Sequence, residues 1–261
     1  MLKANAVKKL AICSLVSTVA MGSSAMAHTS IQASIKADKS GATEATINNL
    51  VIGHGCTDHP SNIKHPVIAQ SVLFPTVSPQ IFVDSSPTPS SLKVTDLITS
   101  STGLAKLPQL IQNTDIFKKQ SEKHDSLNNV IGFNSYSGKL STDLHGLVPF
   151  RFGAVTFKTP IADLTNECVN KLVIKVAVAD ICKTSFPSGG PKEGQANLWI
   201  PNTTVKFHNV LDGTSANALE GEPAELIIDN SSACETGSTV TIWPSDSDID
   251  TNLIIPKIWG K

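Results

Sequence analysis

Short apolar segments separated by Gly, Pro, Asn and Ser dominate the hydrophobic pattern along the chain. Several of them alternate between apolar and polar positions with period two, which predicts half-buried β-strands. The segment 171–179 is apolar almost throughout and is typical of a central strand. The predicted strands span Ser30–Ala37, Thr46–Ile52, Val67–Phe74, Val130–Tyr136, Phe150–Lys158, Lys171–Ile181, Asn197–Phe207, Glu225–Ile228 and Thr239–Trp243. Together they predict an all-β fold, an antiparallel β-sandwich.

One region departs from this strand pattern. Its apolar residues recur at helical spacing and predict a helix over 104–119. The residues of this apolar face are Leu104, Leu107, Ile111 and Phe117. The helix lies within 84–129, a stretch rich in Ser, Thr and Pro that we interpret as an irregular, partly helical insertion between strands. We expect one sandwich domain over 28–261, with an additional C-terminal segment from about residue 205.

The first 27 residues have the pattern of an export signal. Lys3, Lys8 and Lys9 precede an apolar stretch that ends at Met21, and Ala25-Met-Ala27 supplies small residues for signal peptidase. The apolar stretch is shorter than the ~20 residues that a membrane-spanning helix needs, so no membrane span is predicted. Cleavage after Ala27 would make His28 the first residue of an exported protein, periplasmic or extracellular.

Charge and motifs exclude several classes of protein. The chain has 21 basic and 22 acidic residues without a run of either sign, so no nucleic-acid partner is expected. It contains no G-x-S-x-G elbow, no dinucleotide fingerprint and no P-loop. The sequence therefore favours a binding protein over these enzyme classes.

Four of the five cysteines lie outside the predicted signal: Cys56, Cys168, Cys182 and Cys234. An even number in an oxidising compartment predicts two disulfide bonds, and three connectivities are open. Cys56-x-x-His59 is half of a zinc pattern, but the second half is missing. All three methionines lie in the predicted signal, so the mature chain offers no thioether ligand.

A free N-terminal His28 is the strongest candidate metal ligand. Its α-amino nitrogen and its Nδ1 can close a six-membered chelate, and the ordinary pKa of an α-amino group lies close to neutrality. Two nitrogen donors of this kind favour Cu(II) among the divalent metals. Other histidines cluster nearby, and those beside prolines, His59 and His65, read as surface loop residues.

Several motifs resemble the YcnI-like copper-binding family of exported proteins. The N-terminal His after A-x-A is one, and an early strand running into His-Gly-Cys, Leu50-Val-Ile-Gly-His-Gly-Cys56, is another. Val72-Leu-Phe-Pro75, Phe150 to Pro160, the strand from Lys171 to Cys182 and Asn197-Leu-Trp-Ile-Pro201 also match. The resemblance covers 28–75 and 148–201 and does not extend over 76–147 or beyond about 205.

This resemblance implies an immunoglobulin-like sandwich and a mononuclear Cu(II) site. Carried over by position, the chelate is His28, the tryptophan is Trp199 and the carboxylate is Glu44, with His54 as a second candidate near the site. Trp199 would either pack over the metal or serve only the core. The resemblance also implies a Cys56–Cys182 disulfide, which leaves Cys168 with Cys234.

The expected function is an exported Cu(II) chaperone or scavenger rather than an enzyme. Its partners would be the copper ion and a membrane copper transporter or another copper carrier. A copper-dependent oxidative enzyme with a histidine brace is the first alternative, but it needs a second imidazole and an aromatic face, and the chain has one tyrosine, Tyr136. A metal-free secreted sandwich for adhesion or assembly is the second alternative.

Overall fold

In a computed structural model the chain forms an all-β sandwich with little helix. The structure describes residues 28–58, 61–184, 191, 194–207 and 223–255. The strands within those residues are β1 Ser30–Ile31, β2 Ile35–Lys36, β3 Thr46–Ile52, β4 Cys56–Asp58, β5 Ile63–His65, β6 Ala69–Leu73, β7 Pro79–Val83, β8 Pro108–Leu110, β9 Phe117–His124, β10 Val130–Gly138, β11 Gly146–Phe152, β12 Val169–Ile181, β13 Ala196–Trp199, β14 Ala224–Asp229 and β15 Ser238–Pro244. The helices are α1 Val94–Leu97 and α2 Asp246–Asn252, and a 3₁₀ turn spans Thr165–Glu167.

One layer is an antiparallel sheet with the strand order β1-β3-β11-β8. Strand β3 has the predicted bounds, and its alternate side chains Asn48, Leu50 and Ile52 are buried. Phe150 and Phe152 of β11 extend the same inner face. Because successive side chains of a strand point to opposite faces, this alternation places one apolar face against the second layer.

The second layer is built around β12, which is paired on both edges. Its first half lies between β14, antiparallel to it, and β15, parallel to it. Its second half pairs with β6 and β13, and β6 leads outward to β10 and β9. Its side chains contribute to apolar clusters on both faces of the sheet, which explains why the segment reads as an almost continuous apolar run.

The predicted antiparallel sandwich is confirmed, and this sheet also contains two parallel pairs, β15 with β12 and β2 with β14. Strand β14 runs antiparallel to β12, and the chain reverses direction between β14 and β15. Strand β15 crosses to the opposite edge of β12 and must therefore run parallel to it. The C-terminal segment thus supplies two neighbours of the central strand, in addition to α2.

The predicted helix over 104–119 is wrong. The chain forms turns up to Leu107, then β8, and β9 begins at Phe117. Pro108 lacks the N–H that a helix interior requires, and Leu104 is buried in the core from an irregular loop. The 84–129 segment contributes β8 to one sheet and β9 to the other.

Apolar side chains fill two regions. Between the layers, the rings of Phe74, Phe133 and Phe150 pack against one another at tilted or edge-on angles, with centroids 5.5 to 6.2 Å apart. A smaller cluster lies on the other face of the β12 sheet, where Ile249 and Leu253 pack over its apolar residues. Helix α2 is capped by the Ser245 hydroxyl, which accepts a hydrogen bond from the Asp248 amide.

Two disulfides join Cys56 to Cys182 and Cys168 to Cys234, the pairing that the family resemblance implied. The first links the start of β4 to the residue after β12, and the second links the residue before β12 to the loop between β14 and β15. Both ends of the central strand are therefore covalently anchored. No helix in the described part of the chain is long and apolar enough to cross a membrane.

Candidate metal centre

His28 and His54 converge on Trp199 at one end of the sandwich. Strand β1 pairs with β3 so that Ser30 lies opposite Val51, which brings the residues before Ser30 to the end of β3, where His54 follows. The His28 ring lies 4.9 Å from the Trp199 ring, centroid to centroid, at 78°. The His54 ring lies 6.3 Å from it at 84°. The two imidazole centroids are therefore at most about 11 Å apart.

Trp199 is held by a buried carboxylate. It ends β13, where it lies opposite Val178 of β12, and only 1% of it is exposed. Its indole Nε1–H donates a 2.7 Å hydrogen bond to Oδ2 of Asp180. The Thr29 hydroxyl donates to the same oxygen, and Gln70 Nε2 donates to Oδ1 at 2.8 Å. The residue that follows His28 and the tryptophan are thus joined through one oxygen atom.

The environment of Asp180 acts on its ionisation in opposing directions. Burial raises the pKa of the Asp180 carboxyl, while the donors Thr29, Gln70 and Trp199 and the charge of His54 oppose that rise. An indole N–H and an amide NH₂ can only donate, so the carboxyl group must accept from both. Because both oxygens are engaged, we interpret Asp180 as a support beneath the rings and not as a ligand.

His54 is oriented by the backbone next to it. Its Nδ1 is hydrogen-bonded to the Gly55 carbonyl, which can only accept, so Nδ1 carries the proton and the lone pair lies on Nε2. The same carbonyl accepts a 3.3 Å hydrogen bond from Asn197 Nδ2, on the strand that carries Trp199. Metal-binding histidines commonly donate their second ring N–H in this way.

Glu44 lies away from these rings. It precedes the start of β3, whereas His54 follows the end of that strand. The six residue steps of β3 span about 20 Å, so the two side chains lie at opposite ends. Glu44 is exposed and lines an open groove with Ser34 and Asp38. The carboxylate that the resemblance implied is therefore not brought to the cluster.

The remaining histidine predictions concern the β4–β5 hairpin. His65 Nε2 lies 2.8 Å from Asp58 Oδ2, and Lys183 Nζ lies 3.4 Å from the same oxygen. The hydrogen bond from His65 is the main reason that the pKa of Asp58 is lowered. His59 lies outside the described residues, as does the predicted signal at 1–27. The disulfide removes Cys56 from any zinc site.

The sequence reasoning missed Asp180, Thr29 and Gln70. Asp180 had a recognisable signal, because a charged residue near the end of an apolar central strand is buried only when it has partners. Among the described residues no group of three or more His, Cys, Asp or Glu side chains is arranged to hold a metal. The side chains of the cluster thus offer two imidazoles, and a third nitrogen can come from the amine that cleavage before His28 would create.

Comparison of the chain with protein-family models, with curated proteins and with solved structures finds no match.

Proposed function

We propose that the protein is an exported Cu(II)-binding protein, a carrier or scavenger. The observation that carries the proposal is the convergence of His28 and His54 on Trp199. The donors would be the α-amino nitrogen and Nδ1 of His28 together with Nε2 of His54. Nitrogen donors of this kind suit Cu(II), and the metal is the cargo of the protein.

Export is part of the proposal because the chelate requires a free amine at His28. Two disulfides fit an oxidising compartment, either periplasmic or extracellular. The resemblance to the YcnI-like copper proteins supports the same reading through His28 and Trp199. In this chain, however, His54 and not Glu44 lies near the tryptophan. A membrane copper transporter or another copper carrier would deliver the metal to this protein or receive it.

Binding without catalysis is favoured by the surroundings of the rings. The single tyrosine, Tyr136, packs against the smaller core cluster, whereas Trp199 belongs to the main cluster between the layers. Trp199 is itself buried, so it offers no open platform to a polymer. With no methionine after residue 27 and the four cysteines in disulfides, soft ligands for Cu(I) are missing from the described site.

A copper-dependent oxidative enzyme is the second candidate function. The observation in its favour is His54, because an amine and two imidazoles form the donor set of a histidine brace. Such an enzyme must hold Cu(I) until oxygen arrives. The remaining alternative, a metal-free structural sandwich, would bind no copper at the end of the sandwich where His28 and His54 lie.

The test compares the secreted protein with a form that carries an extra Met before His28. Intact mass should place the mature N-terminus at His28, and the secreted protein should bind one Cu(II). The extended form should bind much more weakly, because its first nitrogen becomes a non-basic amide. His28→Ala should remove the Cu(II) spectrum, while His65→Ala, the matched control on β5, should retain it. Equal titrations of native and extended proteins would contradict the proposal.

A further inference from the structure

We infer that Asp180 is the positioning residue of this copper site, and that it orders the N-terminal chelate by holding Thr29 and Trp199 on one carboxylate oxygen. The inference rests on the proposed function and names a residue that neither the motifs nor the family resemblance assigns. Both hydrogen bonds end on Oδ2, one from the residue that follows His28 and one from the ring that His28 contacts.

The N-terminal segment needs such an anchor. Strand β1 has only two residues, which pair with Leu50 and Val51 of β3. A chelate formed by a loose first residue would lose conformational freedom on binding the metal, at a cost of about 1–2 kcal/mol per ordered residue. The hydroxyl of Thr29, which is 1% exposed, fixes the chain one residue away from the ligand.

Asp180 is itself held from two directions. It lies opposite Gln70 of β6 and opposite Asn197 of β13 in the sheet. Gln70 donates to Oδ1, which leaves Oδ2 directed at Thr29 and Trp199. The Asp180 carboxyl is therefore held in place on the central strand. It binds the N-terminal segment through the Thr29 hydroxyl.

Asp180→Asn tests this arrangement with little change of shape. The amide nitrogen of the new residue would meet Gln70, whose Oε1 is buried and lacks a hydrogen-bond partner in the described structure. Rotation of the Gln70 amide would let that oxygen accept, so the variant is expected to fold. The asparagine oxygen would then take the place of Oδ2 and could still accept from Thr29 and Trp199, but without the negative charge that strengthens both hydrogen bonds.

The measurements are Cu(II) affinity by competition, the EPR spectrum of the bound copper, and indole N–H exchange in the metal-free protein. Asp180→Asn should weaken Cu(II) binding by about 10- to 100-fold, as changes beside metal ligands commonly do. It should also alter the EPR spectrum and speed exchange of one indole proton. Asp248→Asn, at a buried aspartate on α2 that lies outside the site, should leave affinity and spectrum unchanged.

Two variants of Thr29, Thr29→Val and Thr29→Ser, test the role of the Thr29–Asp180 hydrogen bond and do not depend on whether Asp180→Asn folds. Valine removes the hydroxyl at nearly constant shape and should weaken binding, whereas serine should restore it. If His28→Ala abolishes binding while Asp180→Asn and Thr29→Val keep the wild-type affinity and spectrum, the inference fails and the proposed function stands. If the wild-type secreted protein itself binds no Cu(II), the proposed function fails and the inference fails with it.

Discussion

Cys56 is disulfide-bonded to Cys182 across 126 positions of the sequence, and the bond anchors the neighbourhood of His54 to that of Asp180. His54 lies two residues before the first cysteine, and Asp180 lies two residues before the second. The two imidazoles are thus tied to the central strand by different means. His54 depends on a covalent bond nearby, and His28 depends on a hydrogen bond through Thr29.

Removing each disulfide in turn should show which of the two supports metal binding in addition to stability. Replacing both cysteines of either pair by alanine should lower the free energy of unfolding by about 2–4 kcal/mol. Only the Cys56–Cys182 variant should also weaken Cu(II) binding, because Cys168–Cys234 lies at the other end of β12. Chemical unfolding and copper titration of both variants measure the two effects. Equal copper affinities in the two variants would show that the first disulfide does not support the site.

His54→Ala should weaken Cu(II) binding by more than the roughly 10- to 100-fold typical of changes beside a ligand, because it removes a donor nitrogen. Its spectrum should shift towards that of a site with fewer nitrogen ligands. His65→Ala is the matched control, since His65 is paired with Asp58 on the hairpin. A His54→Ala protein with the wild-type affinity would leave His28 as the only imidazole ligand.

The redox behaviour of the copper should separate the carrier from the enzyme. Ascorbate added with a Cu(I) chelator should strip the metal quickly, since the chain after residue 27 has no methionine and its four cysteines are in disulfides, so no thioether or thiolate holds Cu(I) against the chelator. The readouts are chelator absorbance, peroxide production and analysis of polysaccharide products. Tight retention of Cu(I) with oxidised oligosaccharides would instead identify the oxidative enzyme.

Lys123 should make stability depend on pH. Its Nζ is buried and donates to Ser71 Oγ at 2.6 Å and to the Asn252 carbonyl. Burial lowers the pKa of Lys123 to about 7, and the nearby charge of Asp248 only partly opposes this. Above that pH the folded protein releases the proton while the unfolded chain keeps it up to about pH 10.4, so stability should rise with pH across this window.

Urea unfolding at pH 6.5 and pH 9 measures this dependence. Lys123→Met should flatten the rise, because methionine carries no proton in either state. Lys119→Met, an exposed lysine on the same strand, should leave the rise intact. A wild-type protein that is equally stable at both pH values would contradict the assignment of the pKa.

Apolar segments bounded by turn residues were predictable as strands. Strand β3 agrees at both ends although Ile47 is exposed and Asn48 is buried, and β12 agrees closely because apolar side chains cover both of its faces. Strand β9 was missed, since Phe117–His124 is a charged edge strand with little apolar alternation. Helical spacing at 104–119 misled the prediction because an irregular loop can bury the same side chains.

The candidate metal site was also predictable only in part. His28, His54 and Trp199 were recognisable from the predicted leader and from two short motifs, and the structure brings their rings together. Glu44 came from the resemblance alone and lies at the far end of β3. The burial of Asp180 had a signal in the sequence, but its role was hidden because its partners Thr29, Gln70 and Trp199 come from separate parts of the chain that only the fold brings together.

The placement of β14 and β15 on opposite edges of β12 governs the order in which the protein can fold. The first half of the central strand gains no sheet neighbour among the described residues until 224–244 have been made. Its second half pairs with β6 and β13, which are synthesised earlier. Pairing over such distances in sequence is slow to form, and an incomplete chain would expose open strand edges. Folding of the sandwich must therefore wait for nearly the whole polypeptide, an order that is compatible with the proposed export of the chain.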